Sequence, residues 1–294
     1  MPELPEVETV RRGLNQKTLN CLIEGGEVLR DRTLAYPLSH GDFAAWLTDT
    51  SIQQWQRRGK YLLAQLDSGG WLGVHLRMTG QLFWVRQDEA LSKHTRLRVF
   101  CAGGQELRFV DSRTFGQVWV VPPGVARETI ITGLTRLGPE PFDSEFSPDY
   151  LQQKIRRTQR TIKAALLDQA LVAGLGNIYA DEVCFASGVR PDAIASRLTP
   201  EQVQRLHGEI RRILTEAITQ GGTTFSDFLD LLGVPGNYGD RAKVYGRTGQ
   251  PCRTCGSAIE RIKITGRSTH FCPRCQLPTP GSQGSMISDQ QNKF

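Results

Sequence analysis

Tyr61-Leu62-Leu63-Ala64-Gln65-Leu66, then Asp67-Ser68-Gly69-Gly70, then Trp71 onward to Met78, is the stretch on which the fold turns. A run of strand-favouring residues ends in a cluster of turn formers, and a second such run follows at once. That is the pattern of a β-hairpin. Downstream, Arg96-Leu97-Arg98-Val99-Phe100 alternates, turns at Ala102-Gly103-Gly104-Gln105 and resumes at Glu106-Leu107-Arg108-Phe109. Hairpins in series over residues 52–121 predict an antiparallel β-sandwich. Ahead of them, Pro5 suits a first helical position and Val7, Val10 and Leu14 share one face, so a short amphipathic helix over 5–14 is expected to flank the sandwich.

Beyond the strands, Leu137-Gly138-Pro139-Glu140-Pro141 breaks the pattern and the chain turns helical. Ser147-Pro148 and Thr199-Pro200-Glu201-Gln202 read as N-caps with Pro at the first helical position, the second also as a capping box. Val203, Leu206, Ile210, Ile213 and Leu214 then recur at helical spacing until Gly221-Gly222 stops the run. The expected organisation is α+β: an N-terminal domain over 1–132, a linker over 133–148, a helical domain over 149–240, a metal-binding finger over 241–276, and a Ser-, Gln-, Pro- and Gly-rich tail over 277–294 that reads as disordered. A chain of 294 residues can give both domains their own core.

The finger rests on Cys252-Arg-Thr-Cys255 and Cys272-Pro-Arg-Cys275, with sixteen residues between the pairs. Two such pairs can place four thiolates tetrahedrally round one zinc, and a site closed by four thiolates is structural. A pair of disulfides is the alternative. Cys21, Cys101 and Cys184 are scattered and are expected to be buried small hydrophobes. The net charge is +6, and over residues 241–275 eight basic residues face Glu260 alone, which favours an anionic partner such as a phosphate backbone. No apolar run approaches the roughly eighteen residues of a membrane span, and Met1-Pro2-Glu3-Leu4-Pro5-Glu6 is unlike a signal peptide, so a cytoplasmic address on the nucleoid is expected.

Pro2-Glu3-Leu4-Pro5-Glu6-Val7-Glu8-Thr9 closely resembles the opening of the formamidopyrimidine-DNA glycosylases. Further likenesses follow in family order: Arg58-Gly59-Lys60-Tyr61-Leu62, His75-Leu76-Arg77-Met78, Asp111-Ser112-Arg113-Thr114-Phe115-Gly116, Gly174-Leu175-Gly176-Asn177-Ile178-Tyr179-Ala180, Gln220-Gly221-Gly222-Thr223-Thr224 and the finger. The resemblance implies an N-terminal β-sandwich, a C-terminal helix-two-turn-helix domain with a four-cysteine zinc finger, and a monomer acting on double-stranded DNA that contains oxidised bases or abasic sites. The implied activity excises oxidised guanine and ring-opened purines, then cleaves the abasic strand. The sister endonuclease VIII-like group, which takes oxidised pyrimidines, is the nearest alternative. A zinc-ribbon DNA-binding protein without catalysis is the alternative from another class.

Removal of Met1 would expose Pro2 as a secondary amine, and the resemblance makes it the nucleophile that attacks the anomeric carbon of the damaged nucleotide. The product, an iminium ion, is an electron sink for β- and δ-elimination of the flanking phosphates. Without the resemblance, Pro2 simply starts a helix. Glu3 is implied as the acid/base on the sugar, Glu6 as a hydrogen-bonding pocket residue, and Lys60 as a ligand of the damaged nucleotide or its phosphate. Arg267, beside Gly266 at the tip of the finger's hairpin, is implied to hold a phosphate together with His75 and Asn177. Their ordinary alternatives are helix-end carboxylates, solvated cations and, for Asn177, a helix cap. Met78, Arg113 and Phe115 match the positions that fill the gap left by an everted nucleotide: two apolar wedges and a donor to the orphaned base. As bare sequence, Met78 and Phe115 read as core. Thr114 departs from the second basic residue common in the family, which puts a charge role there in doubt. The segment Gly233 to Gly239, with Asn237 and Tyr238, resembles a loop that closes over the everted base; a plain solvent loop is the alternative.

Overall fold

In the computed structural model the Tyr61–Leu66 run is a buried strand inside a nine-stranded sheet. The structure describes residues 1–224 and 228–278; most of the tail expected to be disordered, residues 279–294, lies outside them. The elements run α1 (Leu4–Lys17), β1 (Leu22–Val28), β2 (Leu34–Tyr36), α2 (His40–Leu47), β3 (Thr50–Arg58), β4 (Tyr61–Leu66), β5 (Trp71–His75), β6 (Gly80–Arg86), β7 (Thr95–Cys101), β8 (Gln105–Asp111) and β9 (Gln117–Val121). There follow α3 (Arg127–Ile130), α4 (Pro148–Ile155), α5 (Ile162–Leu166), α6 (Asn177–Ala186), α7 (Pro200–Thr219), β10 (Glu260–Ile264) and β11 (Arg267–Phe271).

The strand order is β2-β9-β5-β4-β3-β1-β7-β8-β6. The halves either side of the β3–β1 contact share one core: Ile52, Leu62, Val74 and Val120 come from one side, Ile23, Leu97, Val99 and Phe109 from the other. The sandwich expected from the sequence is therefore one sheet folded over its own apolar face. The β4–β5 and β7–β8 pairs are the antiparallel hairpins read from the sequence, and β3–β4 adds another over the Gly59-Lys60 turn. The exception is β2, which pairs parallel with β9 across a long stretch of chain, a geometry that no short turn could announce.

Helix α1 begins at Leu4, one residue earlier than the Pro5 start expected. Val7, Val10 and Leu14 enter the sheet core, whereas Leu4 enters the core of the helical domain. Asn15 fixes the helix on β3, its amide donating to the Trp55 carbonyl at 2.9 Å and accepting from the Trp55 N–H at 2.8 Å. The caps follow the sequence: Ser147 Oγ accepts from Tyr150 N, and Thr199 and Gln202 form a reciprocal capping box. Between the domains, Glu140 accepts from Gly59 N at 2.6 Å and pairs with Arg57 at 2.7 Å and Arg58 at 3.0 Å. The β3–β4 turn is thereby clamped to the chain that leads into the helices.

Cys101 and Cys184 are buried as expected, but Cys21 is only half-buried, because it lies in the turn just before β1 and outside the strand. Residues 260–271 form the β10–β11 hairpin, next to a small core of Val244, Ile259 and the finger cysteines.

Candidate active site and nucleic-acid interface

Helix α6 starts without a cap of its own, since its N-cap residue is Gly176. Asn177 is therefore the first helical residue and not the cap. The first-turn N–H groups of a helix seek an acceptor, and the partial positive charge there favours a carboxylate. Glu3 supplies it from 175 residues away: Oε1 accepts from Ile178 N at 2.9 Å and Oε2 from Tyr179 N at 3.4 Å. A Cβ on Gly176 would lie 2.2 Å from the Glu3 carboxyl carbon, so only glycine admits this carboxylate. Pro2 is buried directly beside it.

Lys60 sits in the β3–β4 turn, immediately before the strand it was expected to open. It is buried and donates from Nζ to the Leu175 carbonyl at 2.9 Å. Burial lowers its pKa, Glu3 opposes that shift, and the guanidinium of Arg267 adds to it. Burial raises the Glu3 carboxyl, against the pull of Lys60 and of the α6 amides. The pair thus joins the N-terminus, the sheet and the finger's hairpin around one point. Glu6 lies behind it, accepting from Glu3 N at 2.8 Å, Thr223 N at 2.7 Å and the Tyr179 hydroxyl at 2.5 Å. Burial, with Glu3 close by, raises Glu6 to about 7. Tyr179 and Thr223 lie in two of the motifs that carry the resemblance but received no role from the sequence, because their partner lies 173 and 217 residues away.

His75 ends β5, buried, with Nδ1 accepting from Arg77 N at 3.0 Å. Burial and the cations Arg77 and Lys60 push its pKa down to about 3. The ring is therefore neutral near pH 7, and an occupied Nδ1 leaves Nε2 carrying the proton as a donor. Asn177, half-buried, donates from Nδ2 to the Ser268 carbonyl at 3.1 Å. Arg267 is exposed at the tip of the β10–β11 hairpin, after a turn with positive φ at Thr265 (48°) and Gly266 (77°).

Met78 and Phe115 are not core: they are 39% and 41% exposed, and they share an open cleft with Met1, Arg32 and Arg77. Arg113, also exposed, stacks its guanidinium 4.9 Å from the Phe115 ring centroid. The loop that carries them is built by Asp111, a fully buried carboxylate that the sequence reading did not single out. It accepts from Arg113 N at 3.1 Å, Phe115 N at 2.8 Å, Gly116 N at 2.7 Å and Thr79 Oγ1 at 2.5 Å. In the 233–239 segment Asn237 N donates to Gln220 O at 3.0 Å and Tyr238 is buried, so its end returns to α7.

Cys252, Cys255, Cys272 and Cys275 converge, with all four sulfurs within 4.8 Å of one another. The Cys252–Cys275 and Cys255–Cys272 separations are 3.9 and 3.4 Å. Four thiolates around zinc at ~2.3 Å stand about 3.8 Å apart, so the donor set fits one structural zinc. Thr254 N and Cys275 N point at the sulfurs of Cys252 and Cys272, each at 3.4 Å, as donors that favour the thiolate form.

Fold and site together define a class: two-domain proteins with a buried N-terminal Pro–Glu pair at a helix end and a four-thiolate finger reaching the same place. The family models agree. Those of the formamidopyrimidine-DNA glycosylase N-terminal domain, its H2TH domain, and the zinc finger found in FPG and IleRS match residues 1–118, 137–228 and 249–277. The formamidopyrimidine-DNA glycosylase of Acaryochloris marina is 60% identical over 281 residues, covering 94% of this chain and 99% of its own. That of Nostoc sp. is 57% identical over 283 residues, covering 94% and 100%. Lactococcus lactis Fpg in complex with abasic-site DNA superposes with a TM-score of 0.86 at 36% identity, covering 94% of this chain and 99% of that one. A mutant of the same Fpg with Fapy-dG-containing DNA gives 0.87 at 36% identity, with the same coverage. The chain belongs to the formamidopyrimidine-DNA glycosylase family.

Proposed function

We propose that this chain excises oxidised purines, 8-oxoguanine and formamidopyrimidines, from duplex DNA and cleaves the resulting abasic strand, with Pro2 as nucleophile. Its family and the abasic-site and Fapy-dG complexes of its structural relative support the activity. The observation that carries the residue assignment is Pro2 held against Glu3 at the N-terminus of α6, with Lys60 alongside.

After removal of Met1 the Pro2 nitrogen, a neutral amine over part of its population near pH 7, attacks C1′ as the bond from C1′ to the base breaks. Ring opening gives the iminium ion. Loss of a C2′ proton then expels the 3′ phosphate, and a second elimination expels the 5′ phosphate. Glu3, whose raised pKa keeps a proton on the carboxyl further up the pH scale, gives and takes protons on the sugar. Lys60 meets the damaged nucleotide or its phosphate. Neutral His75, Asn177 and Arg267 hold the backbone, and Met78, Phe115 and Arg113 fill the gap and meet the orphaned base. Zinc shapes the finger and takes no part in bond breaking.

We also propose division at 1–132, 149–240 and 241–276, supported by the separate cores of sheet, helices and finger. A cytoplasmic location fits a DNA substrate and reduced zinc thiolates; no helix among the described residues is long and apolar enough to cross a membrane.

Borohydride trapping on a duplex with one 8-oxoguanine opposite cytosine tests the reading. The native chain is expected to yield a covalent adduct. Protein with an uncleaved N-terminal extension, whose Pro2 nitrogen is an amide, is expected to yield none. No adduct from native chain that binds the duplex and holds zinc would leave a DNA-binding module without catalysis.

A further inference from the structure

Lys163 and Asp181 are both fully buried, and neither belongs to the site described above. Lys163 lies on α5 and Asp181 on α6, with Nζ 2.6 Å from Asp181 Oδ1. Burying two charges exacts a desolvation penalty that their attraction often fails to recover, so such a pair is poor evidence for stability; setting a register is a better-attested use. What this pair holds is β11. Lys163 Nζ donates to the Ser268 carbonyl at 3.0 Å and to Thr269 Oγ1 at 2.8 Å. Asp181 Oδ2 accepts from His270 N at 2.8 Å and lies 3.0 Å from His270 Nδ1. Both hydrogen bonds that Lys163 Nζ donates go to the hairpin, and its charge is matched by Asp181.

The three residues that follow Arg267 are thus each bonded to one ion pair rooted in the helical domain. The Ser268 carbonyl is gripped twice, by Lys163 and by Asn177 Nδ2. Zinc closes the far end of the hairpin after Phe271, and it fixes the finger's own shape without fixing where the tip stands relative to α6.

We propose that Lys163 and Asp181 are positioning residues for the phosphate clamp: they set the register of β11 against α5 and α6 so that Arg267 and Asn177 face the same DNA backbone. This rests on the reading of Arg267 as a phosphate ligand.

The test is a double-mutant cycle on full-length, zinc-loaded protein, using an uncleavable abasic-site analogue in a duplex. Lys163→Met/Asp181→Leu removes both charges at similar volume and is expected to fold and keep one zinc, both checked by heat unfolding and metal content. Its affinity is expected to fall at least tenfold, and its log K against log salt slope to lose about 0.9, the share of one phosphate contact. Adding Arg267→Ala to that background is expected to cost little more, whereas Arg267→Ala alone costs about as much as the pair. Folded, zinc-bound double variant with wild-type affinity and slope overturns the proposal, as do losses that simply add. If the pair variant fails to fold, Asp181→Asn, which keeps an acceptor for His270 N, carries the same cycle. An Arg267→Ala variant with unchanged salt slope would overturn the phosphate reading itself, separately from the positioning claim.

Discussion

Two of the turns whose exposed side chains are proposed to meet DNA, the loop of Arg113 and Phe115 and the hairpin tip of Arg267, are held by opposite means. The first projects from a large sheet, and one buried carboxylate, Asp111, gathers the backbone N–H groups of Arg113, Phe115 and Gly116. The second belongs to a segment whose own core is little more than Val244, Ile259 and the cysteines, too small to fold by burial. It takes its shape from zinc and its placement from helices elsewhere. A loop on a large core needs only an acceptor for its orphaned donors, whereas a loop on almost no core needs a cross-link.

Removing the metal should give the largest effect and break the comparison if it fails. Chelation is expected to unfold the finger and weaken duplex binding by roughly two orders of magnitude, on the order of 3 kcal/mol, while the sheet domain still unfolds cooperatively. Protected finger amides in metal-free protein, followed by hydrogen exchange, would show that zinc is not what shapes this hairpin. Next is Asp111→Ala. It leaves three backbone donors without their acceptor and should lower stability by about 3 kcal/mol in denaturant titrations. It should also cut 8-oxoguanine excision more than zinc content.

Glu6 sharpens the comparison, since it too gathers donors from distant segments but carries a proton question. Its pKa is raised from 4.5 to about 7, so the neutral form is the one the fold favours. Stability from this group is full below about pH 4.5 and is lost as pH rises through about 7, on the order of 3 kcal/mol by pH 8. Glu6→Gln, measured by heat unfolding from pH 5 to 8, should flatten that decline. A wild-type slope matching the variant's would refute it. The smallest effect on stability belongs to the tips. Phe115→Ala and Met78→Ala, at exposed positions, should change it by less than about 0.5 kcal/mol. Base excision should still fall more than cleavage of a preformed abasic site, compared in single-turnover assays.

Legibility in the sequence followed the range of the interaction. The Cys252–Cys255 and Cys272–Cys275 pairs and the caps at Ser147 and Thr199 are local, and spacing alone exposed them. The hairpins were readable because each turn joins the strands that pair. The β2–β9 pair, the Glu3 cap on α6 and the Glu6 bonds to Tyr179 and Thr223 join distant stretches and left no local trace. Lys163 and Asp181 stand out in no local pattern, and only the packing of α5, α6 and β11 shows them buried. Met78 and Phe115 illustrate the converse: as bare residue types they read as core, the resemblance made them wedges, and the fold exposes them.

The Glu3 cap also fixes an order of events during synthesis. Pro2 is buried in the folded chain, and the groups that bury its neighbour, Ile178 N and Tyr179 N, are made some 175 residues later. At about 5–20 residues per second, the ribosome leaves the N-terminus without its helix for on the order of ten seconds or more. During that interval the whole N-terminal segment, Pro2 included, is open to the aminopeptidase that would remove Met1, a removal the proposed chemistry requires. Once α6 docks, Pro2 is buried, while an unprocessed Met1 still stands exposed in the open cleft beside Met78 and Phe115, so folding shields the future nucleophile and leaves the residue to be removed within reach.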